Sequence, residues 1–363
     1  MVPALHDVFD TALFEQMLDG RYIKVTPHPH LDLRILNYTS KAQFDRMWNA
    51  VTRTCRGLIV DADDRIVARP FGKFFNVGEH NGPLPGGPVT VSDKLDGSLG
   101  ILYPAAEGYA VATRGSFVSD QADHATKVFT ERYADQFDPD PQLTYLFEVI
   151  YPANRIVVDY GRTDDLVLLG AVDIASGISR PLGQVAGHWP GPVADVLPHS
   201  SLEEALAAEP RPNAEGLVVH FHDQDLRLKL KQDDYVRLHR LMTGVSERRV
   251  WEALSSGEDL AAWLDNVPDE FYDFVIRTRN RLLREYDALV TQVRSRYDLL
   301  VGSLPADHTR KQFAEQVLAM RANWPLAPVL FAHADGKDYS RTLWQQLRPR
   351  EHVPLFAMDE DTN

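Results

Sequence analysis

The sequence predicts an α+β fold with antiparallel sheets and peripheral helices, followed by an all-helical domain. Three observations predict it. Short β-branched and apolar runs follow one another between residues 31 and 230, without alternating one-for-one with helices. Several of these runs sit in pairs across short polar turns, as hairpins do. Beyond Tyr235 the apolar positions recur every three or four residues, the period of a helix. A chain of 363 residues fits two domains. The boundary falls at residues 243–244, giving domains 1–242 and 243–363.

The elements follow in order. Val8, Phe9, Leu13, Phe14 and Leu18 set an amphipathic helix over residues 8–19. Residues 31–38 alternate as a strand, and residues 44–51 read as a short helix. Residues 57–60 and 65–68 form a hairpin across an acidic turn. Residues 71–77 are aromatic and basic, and residues 82–88 are a loop rich in Gly and Pro. Strands follow at 99–103, 109–113, 145–151, 156–158 and 166–173, with a helix between residues 117 and 137. Residues 187–198 are a Pro-rich loop. Residues 201–208 are a helix capped by Ser201, with Glu204 three residues on. Residues 216–221 and 226–230 make another hairpin. In the helical part Leu282, Tyr286, Leu289, Val293, Tyr297 and Leu300 form an apolar stripe. Arg277, Arg281, Arg284, Arg294 and Arg296 occupy much of the remaining surface, which is either a solvated face or a contact for phosphates. The tail, residues 358–363, is acidic and expected to fray.

Composition narrows the function classes. Hydrophobic residues are 44% and charged residues 25%, the mixture of an ordinary globular protein. The formal net charge of -14 excludes nonspecific nucleic-acid binding over the whole surface, but leaves room for a local basic groove. The single cysteine, Cys55, forms no disulfide within the chain and reads as a small core residue in a reducing compartment. The first twenty residues carry acids and no basic region, so no signal peptide is expected. No apolar run approaches the roughly 20 residues of a membrane span. A soluble, cytoplasmic protein with no membrane partner is expected.

The chemistry concentrates around Ser92-Asp93-Lys94-Leu95-Asp96-Gly97-Ser98, a K-x-D-G-S motif joining two strands. A buried lysine beside other cations is a nucleophile in waiting, because both features favour the free amine. Asp96 is two residues on, where an extended chain brings it to the lysine's face to meet ribose, metal or the lysine itself. Gly97 lets the backbone approach a ligand closely. Taken alone, the motif reads equally as a surface turn with a salt-bridging lysine. Arg56 stands beside a glycine at the mouth of a strand, suited to forked contacts with phosphate or a hydroxyl. Lys73 lies among Phe71, Phe74 and Phe75, a shelf for a purine and a phosphate. Glu148 is one carboxylate in an apolar strand and needs a cation, metal or hydroxyl partner. Glu215 opens another apolar strand, and Lys229 and Lys231 share one strand face. This is one nucleophile, cations for a polyphosphate, and carboxylates for Mg²⁺. A P-loop and a zinc-spaced Cys/His cluster are both absent.

The order K-L-D-G-S, F-E-V-I-Y-P-A-N-R-I-V, E-G-L-V-V and L-K-L-K resembles the covalent nucleotidyltransferases, the polynucleotide ligases and capping enzymes. With C-R-G-L-I-V and R-P-F-G-K-F-F-N before the lysine, and K-Q-D-D-Y-V-R-L-H after the lysine pair, it is similar to the ATP-dependent RNA ligases of the phage tRNA-repair type. The likeness covers about residues 31–242. It implies a ligase-type nucleotidyltransferase (adenylyltransferase) domain followed by the helical one. It implies Lys94 as the residue that takes AMP from ATP, and Arg56 and Lys73 as contacts to the nucleotide. Tyr38 matches a tyrosine near the phosphate. Glu148 is implied for ribose or a metal-bound water, Asp96 and Glu215 for the hydration shell of Mg²⁺ or Mn²⁺, and Lys229 and Lys231 for the α-phosphate. Tyr235 matches a further important tyrosine. Arg114, in Thr113-Arg114-Gly115-Ser116, stands where the family usually has lysine. Glu258 and Asp259 fall near a metal-binding acid of a relative, and surface acids are the plainer reading there.

The expected function is therefore ATP-dependent joining of RNA 5′-phosphate and 3′-hydroxyl ends, on a substrate such as nicked tRNA and beside an end-healing kinase or phosphatase. A DNA ligase or a GTP-using capping enzyme shares K-x-D-G, but usually carries an oligonucleotide-binding β-barrel where this chain predicts helices. A catalytically dead RNA-binding protein on the same fold is expected to lose the nucleophile or its carboxylates, and none is missing here.

Overall fold

The computed structural model describes residues 2–80, 82–233, 235–236, 245–258, 260, 272–321 and 324–349. The expected boundary at 243–244, Asp259 and the acidic tail lie outside the described residues. The chain divides into two compact units, Met1–Met242 and Thr243–Asn363.

In chain order the strands are β1 (Ile23–Pro27), β2 (Leu33–Tyr38), β3 (Arg56–Asp61), β4 (Ile66–Ala68) and β5 (Phe75–Asn76). Then come β6 (Val89–Lys94), β7 (Ser98–Pro104), β8 (Tyr109–Ala112), β9 (Leu143–Ile150) and β10 (Asp165–Asp173). After them run β11 (Ser179–Arg180), β12 (Val196–Leu197), β13 (Gly216–Phe221) and β14 (Leu226–Lys231). They form three sheets, ordered β1-β2-β3-β4, β11-β10-β9-β7-β8 and β12-β6-β13-β14-β5. The pairings are antiparallel except β14 with β5, which is parallel. This is the α+β class with helices at the periphery.

Alternation along the strands builds the cores. Phe147 and Val149 of β9 face a cluster with Val128 and Phe129 from the helix Asp120–Arg132, and with Trp189. Leu146 points the other way and packs with Ile35, Ile59 and Ile101, joining the first two sheets. The third sheet buries Val91, Leu217, Val219 and Leu228 under the helix Leu202–Leu206. Each fully buried side chain of this kind contributes about 1.5–3 kcal/mol.

Lys94 ends β6 in the third sheet, and Ser98 begins β7 in the second. Residues 95–97 thus carry the chain from one sheet to the other. β13 lies between β6 and β14, and Gly216 is the register partner of both Lys94 and Lys231. Its φ is +155°, and a Cβ there would stand 1.9 Å from the Leu230 carbonyl oxygen. Only glycine fits where those two strands close on it.

Several sequence expectations shift. The helix of residues 8–19 starts at Thr11, because Asp10 caps it by accepting from the Leu13 amide at 2.8 Å. Residues 44–51 hold no single helix. Helices run at Ser40–Phe44 and Ala50–Thr54, capped by Thr39 and Asn49, with Arg46 turned to φ +52° between them. Residues 156–158 form no strand, because the amides of Val157 and Val158 both donate to Asp96 at 2.8 Å. Glu204 accepts from the amide and hydroxyl of Ser200, while Ser201 caps the helix.

In the second unit helices run at Glu247–Ser256, Tyr272–Ser303, Arg310–Arg321, Val329–Ala334 and Ser340–Gln346. Tyr286, Leu289, Val293, Tyr297 and Leu300 of the stripe pack with Phe313, Trp324 and Leu343. Arg281 pairs with Glu247 at 2.8 Å, and Arg296 lies over the Trp324 ring at 4.7 Å. No described helix is long and apolar enough to cross a membrane.

Gly216→Ala is expected to lower stability by about 3 kcal/mol, since strain and overlap act together. Urea denaturation of the full-length chain measures it, and an unchanged midpoint would contradict the close approach of β14.

Candidate active site

The register at Gly216 puts Glu215 between two lysines. Its Oε1 lies 2.6 Å from Lys94 Nζ and 2.7 Å from Lys231 Nζ. Glu215 is 3% exposed, Lys231 8% and Lys94 19%, so of the three Lys94 is the most open to solvent. An ammonium has no lone pair, so any attack by Lys94 begins with loss of its proton.

Lys229 lies two residues before Lys231 on the same strand, with its Nζ 5.3 Å from the centre of the Phe74 ring. Burial holds its amine well below the usual lysine range, and Lys73, Lys94, Lys231 and Arg56 push the same way. Five basic side chains, Lys94, Lys229, Lys231, Lys73 and Arg56, thus act on one another here, with Glu215 between Lys94 and Lys231. A concentration of basic groups of this kind suits a polyphosphate. Arg56, the first residue of β3, stands over the Phe74 ring at 5.7 Å.

A second group forms beside it. Tyr38 accepts from Arg114 Nη1 at 2.8 Å and from Lys73 Nζ at 3.4 Å. Lys73 also faces the rings of Tyr38, Trp48 and Phe75 at 5.3, 5.3 and 5.7 Å. Gly57, at φ +92°, makes room for Arg114, since a Cβ there would lie 3.1 Å from the Arg114 Cα. Arg114 therefore contacts Tyr38 as a planar donor, where a lysine would supply a point charge.

Asp96 bonds to groups on other segments. Its Oδ1 accepts from Tyr235 at 2.7 Å, its Oδ2 from the Val157 and Val158 amides, and its own amide donates to Tyr160 at 2.8 Å. Residues 95–97 cross between sheets and are not an extended strand, so strand alternation alone does not place Asp96. In this arrangement Asp96 anchors the crossing. The Gly97 amide donates to Glu148 Oε1 at 2.9 Å. Burial pushes the Glu148 carboxyl up to about 7, outweighing the pull of Lys94, while Glu215 and Asp96 push it up further.

Among the described residues no three or more His, Cys, Asp or Glu side chains are grouped to hold a metal. A donor set of one or two carboxylates suits an ion held mainly by substrate phosphates and water, as Mg²⁺ is. Glu258 makes a forked pair with Arg249, at 2.8 and 2.9 Å. Cys55 is fully buried, which pushes its thiol up, as for a core residue.

Sequence reasoning missed four participants. Trp48 packs edge-on against Tyr38 and Phe75. Asn154 holds the Val149 carbonyl and Ser98. Tyr160 meets the Asp96 amide, and Arg211 meets Asp93 at 2.6 Å. Asn154 sits in the quoted P-A-N-R run, which was a usable signal; the other three carry none beyond their residue type.

The Glu148 shift has a pH consequence. Its folded value, about 7, lies above the ordinary 4.5, so its contribution to stability is fully present below pH 4.5 and is lost as pH rises through 7. Wild type should therefore lose stability relative to Glu148→Gln between pH 4.5 and 7, then run parallel to it. Thermal melts of both proteins across this range check the sign.

A family model described as RNA ligase matches residues 54–235. The RNA ligase of Rhodothermus phage RM378 is 25% identical over 183 residues, covering 38% of this chain and 41% of that protein. A Thermovibrio ammonificans protein provisionally named RNA ligase is 27% identical over 259 residues, covering 66% and 64%. An Autographa californica nuclear polyhedrosis virus protein, provisionally named a bifunctional polynucleotide kinase/RNA ligase, is 26% identical over 259 residues, covering 62% and 36%. The chain spans less than two thirds of the length of these relatives. The matched stretch opens just before β3 and closes on Tyr235, so it encloses Lys94, its shared carboxylate and the lysines of β14, and the chain belongs to the RNA ligase family.

Proposed function

We propose that this protein is an ATP-dependent RNA ligase, with residues 1–242 as its adenylyltransferase domain and the helical residues 243–363 beside it. The observation that carries the reading is Lys94 on Glu215 amid Arg56, Lys73, Lys229 and Lys231, inside a stretch that matches the RNA ligase family. Once Lys94 Nζ has lost its proton, it attacks the α-phosphorus of ATP. A P–N bond forms, and the bond to pyrophosphate breaks. An oxygen of the RNA 5′-phosphate then displaces the lysine, moving AMP to the RNA. Last, the 3′-hydroxyl attacks that 5′-phosphate, losing its proton as AMP departs.

Little covalent work falls to other side chains. Transfer of this kind rests on positioning and charge neutralisation. Arg56, Lys73, Lys229 and Lys231 would hold the nucleotide phosphates. Glu148 would meet the ribose or a metal-bound water, and Glu215 and Asp96 would act on the hydration shell. Mg²⁺ or Mn²⁺, when bound, supplies further neutralisation of the leaving pyrophosphate.

The substrate is proposed to be RNA ends, a nicked tRNA among them, made ready by an end-healing kinase or phosphatase; one relative's name joins the kinase and the ligase in a single protein. A lone, buried cysteine supports the cytoplasm as its place. The described residues beyond Tyr235 are helical, which supports an RNA ligase over enzymes with a β-barrel there.

Lys94→Ala should abolish labelling of the protein by ATP carrying a labelled α-phosphate, yet still seal a pre-adenylylated RNA, because that step needs no lysine nucleophile. Label transferred from GTP or NAD⁺ in place of ATP would overturn the cofactor. Lys229→Ala and Lys231→Ala should each slow adenylylation by about 10²–10³-fold, the cost of removing one charge-stabilising donor. Lys127→Ala, on the exposed face of the helix Asp120–Arg132, should change the rate little. Equal losses at all three positions in a quenched-flow assay would mean general charge loss.

A further inference from the structure

Residues 211–215 form a short strap whose alternate side chains each reach a different part of the site. Glu215 takes Lys94 and Lys231. Arg211 donates to Asp93 Oδ1 at 2.6 Å and to the Gly216 carbonyl at 3.1 Å. It thus ties the neighbour of Lys94 on β6 to the neighbour of Glu215 on β13. The Arg211 amide donates to Gln232 Oε1 at 3.1 Å, and the Gln232 amide returns to the Glu215 carbonyl at 3.0 Å. Asn213 makes a reciprocal pair with the Asp159 backbone, accepting from its amide and donating to its carbonyl, both at 2.8 Å. Asp159 directly follows Val157 and Val158, whose amides hold Asp96.

We propose that Arg211 and Asn213 are positioning residues for the attack of Lys94, a reading that rests on the ligase function above. Arg211 sets the distance between the strand bearing the nucleophile and the strand bearing its carboxylate. Asn213 fastens the loop that anchors Asp96 and, through it, the crossing that follows Lys94. The Arg211 and Asp93 side chains are 34% and 18% exposed. A pair partly in reach of solvent contributes only modestly to overall stability. Its worth lies in geometry, because Lys94 has an in-line path to phosphorus only if β6 and β13 keep their register. The rate of such an attack falls steeply with misplacement of the reacting atoms.

The test uses the full-length chain and three variants, Arg211→Ala, Arg211→Lys and Asn213→Gly. Asn213 sits at φ +54°, which glycine adopts freely, so that change removes the side-chain bonds and keeps the turn. Single-turnover lysyl-AMP formation, sealing of pre-adenylylated RNA and melting temperature are measured separately. Arg211→Ala should slow adenylylation by about 10²-fold, with the KM for ATP and the sealing of pre-adenylylated RNA close to wild type. Arg211→Lys should restore part of the rate, because the pair with Asp93 returns and the fork does not. Asn213→Gly should shift the same step by a smaller factor. Wild-type adenylylation rates in Arg211→Ala and Asn213→Gly would overturn the proposal. So would a parallel fall of both steps and of melting temperature, which marks a loss of fold alone. Failure of the wild-type chain itself to take label overturns the ligase reading and this inference with it, and is told apart because it appears before any residue is changed.

Discussion

Two ammonium groups share one oxygen of Glu215, and the rest of the site is arranged around that contact. Neither lysine is free to choose another geometry, because Gly216 fixes both strands at once through its register with Lys94 and Lys231. Removing the carboxylate alone would leave two positive groups facing each other in a sparsely hydrated place. Stranding one partner of a buried pair costs about 3–5 kcal/mol. The pair is therefore as much a constraint on the fold as a feature of the site. It also explains why the strand opens with glycine directly after the acid.

Around this contact two further groups are pushed away from their charged forms. Lys229 is driven toward its neutral form by burial and by four neighbouring cations. Glu148 is driven toward its neutral form by burial and two neighbouring acids. Both shifts lie in the direction of discharging the group, as burial among like charges dictates. The basic side chains are gathered locally on a chain whose formal net charge is -14. A multiply charged anion is thus drawn to one place on a surface that otherwise repels it.

How much of this was legible in the sequence follows from the range over which each signal acts. The hairpin that opens at Gly216 and the stripe from Tyr286 to Leu300 depend on period and neighbours, and both emerged where the pattern placed them. Lys229 and Lys231 share a face for the same reason. Asp96 lies outside the reach of that signal, because residues 95–97 leave one sheet to join another and strand geometry stops there. The split helix near residue 46 turned on two caps, Thr39 and Asn49, which start separate helices on either side of it. Arg211 and Tyr160 were invisible. Their partners lie 118 and 64 positions away, and no local pattern encodes a contact of that span.

The chain's single cysteine adds a practical consequence. Cys55 has no exposed surface and directly precedes Arg56. A thiol reagent can reach it only when the packing around it opens locally. Its rate of modification is thus an intrinsic gauge of that opening, needing no engineered label. Because the next residue belongs to the cationic cluster, any anion that settles there should lengthen the thiol's protected lifetime. The protein carries its own reporter of occupancy one residue from the charge that would recognise the ligand.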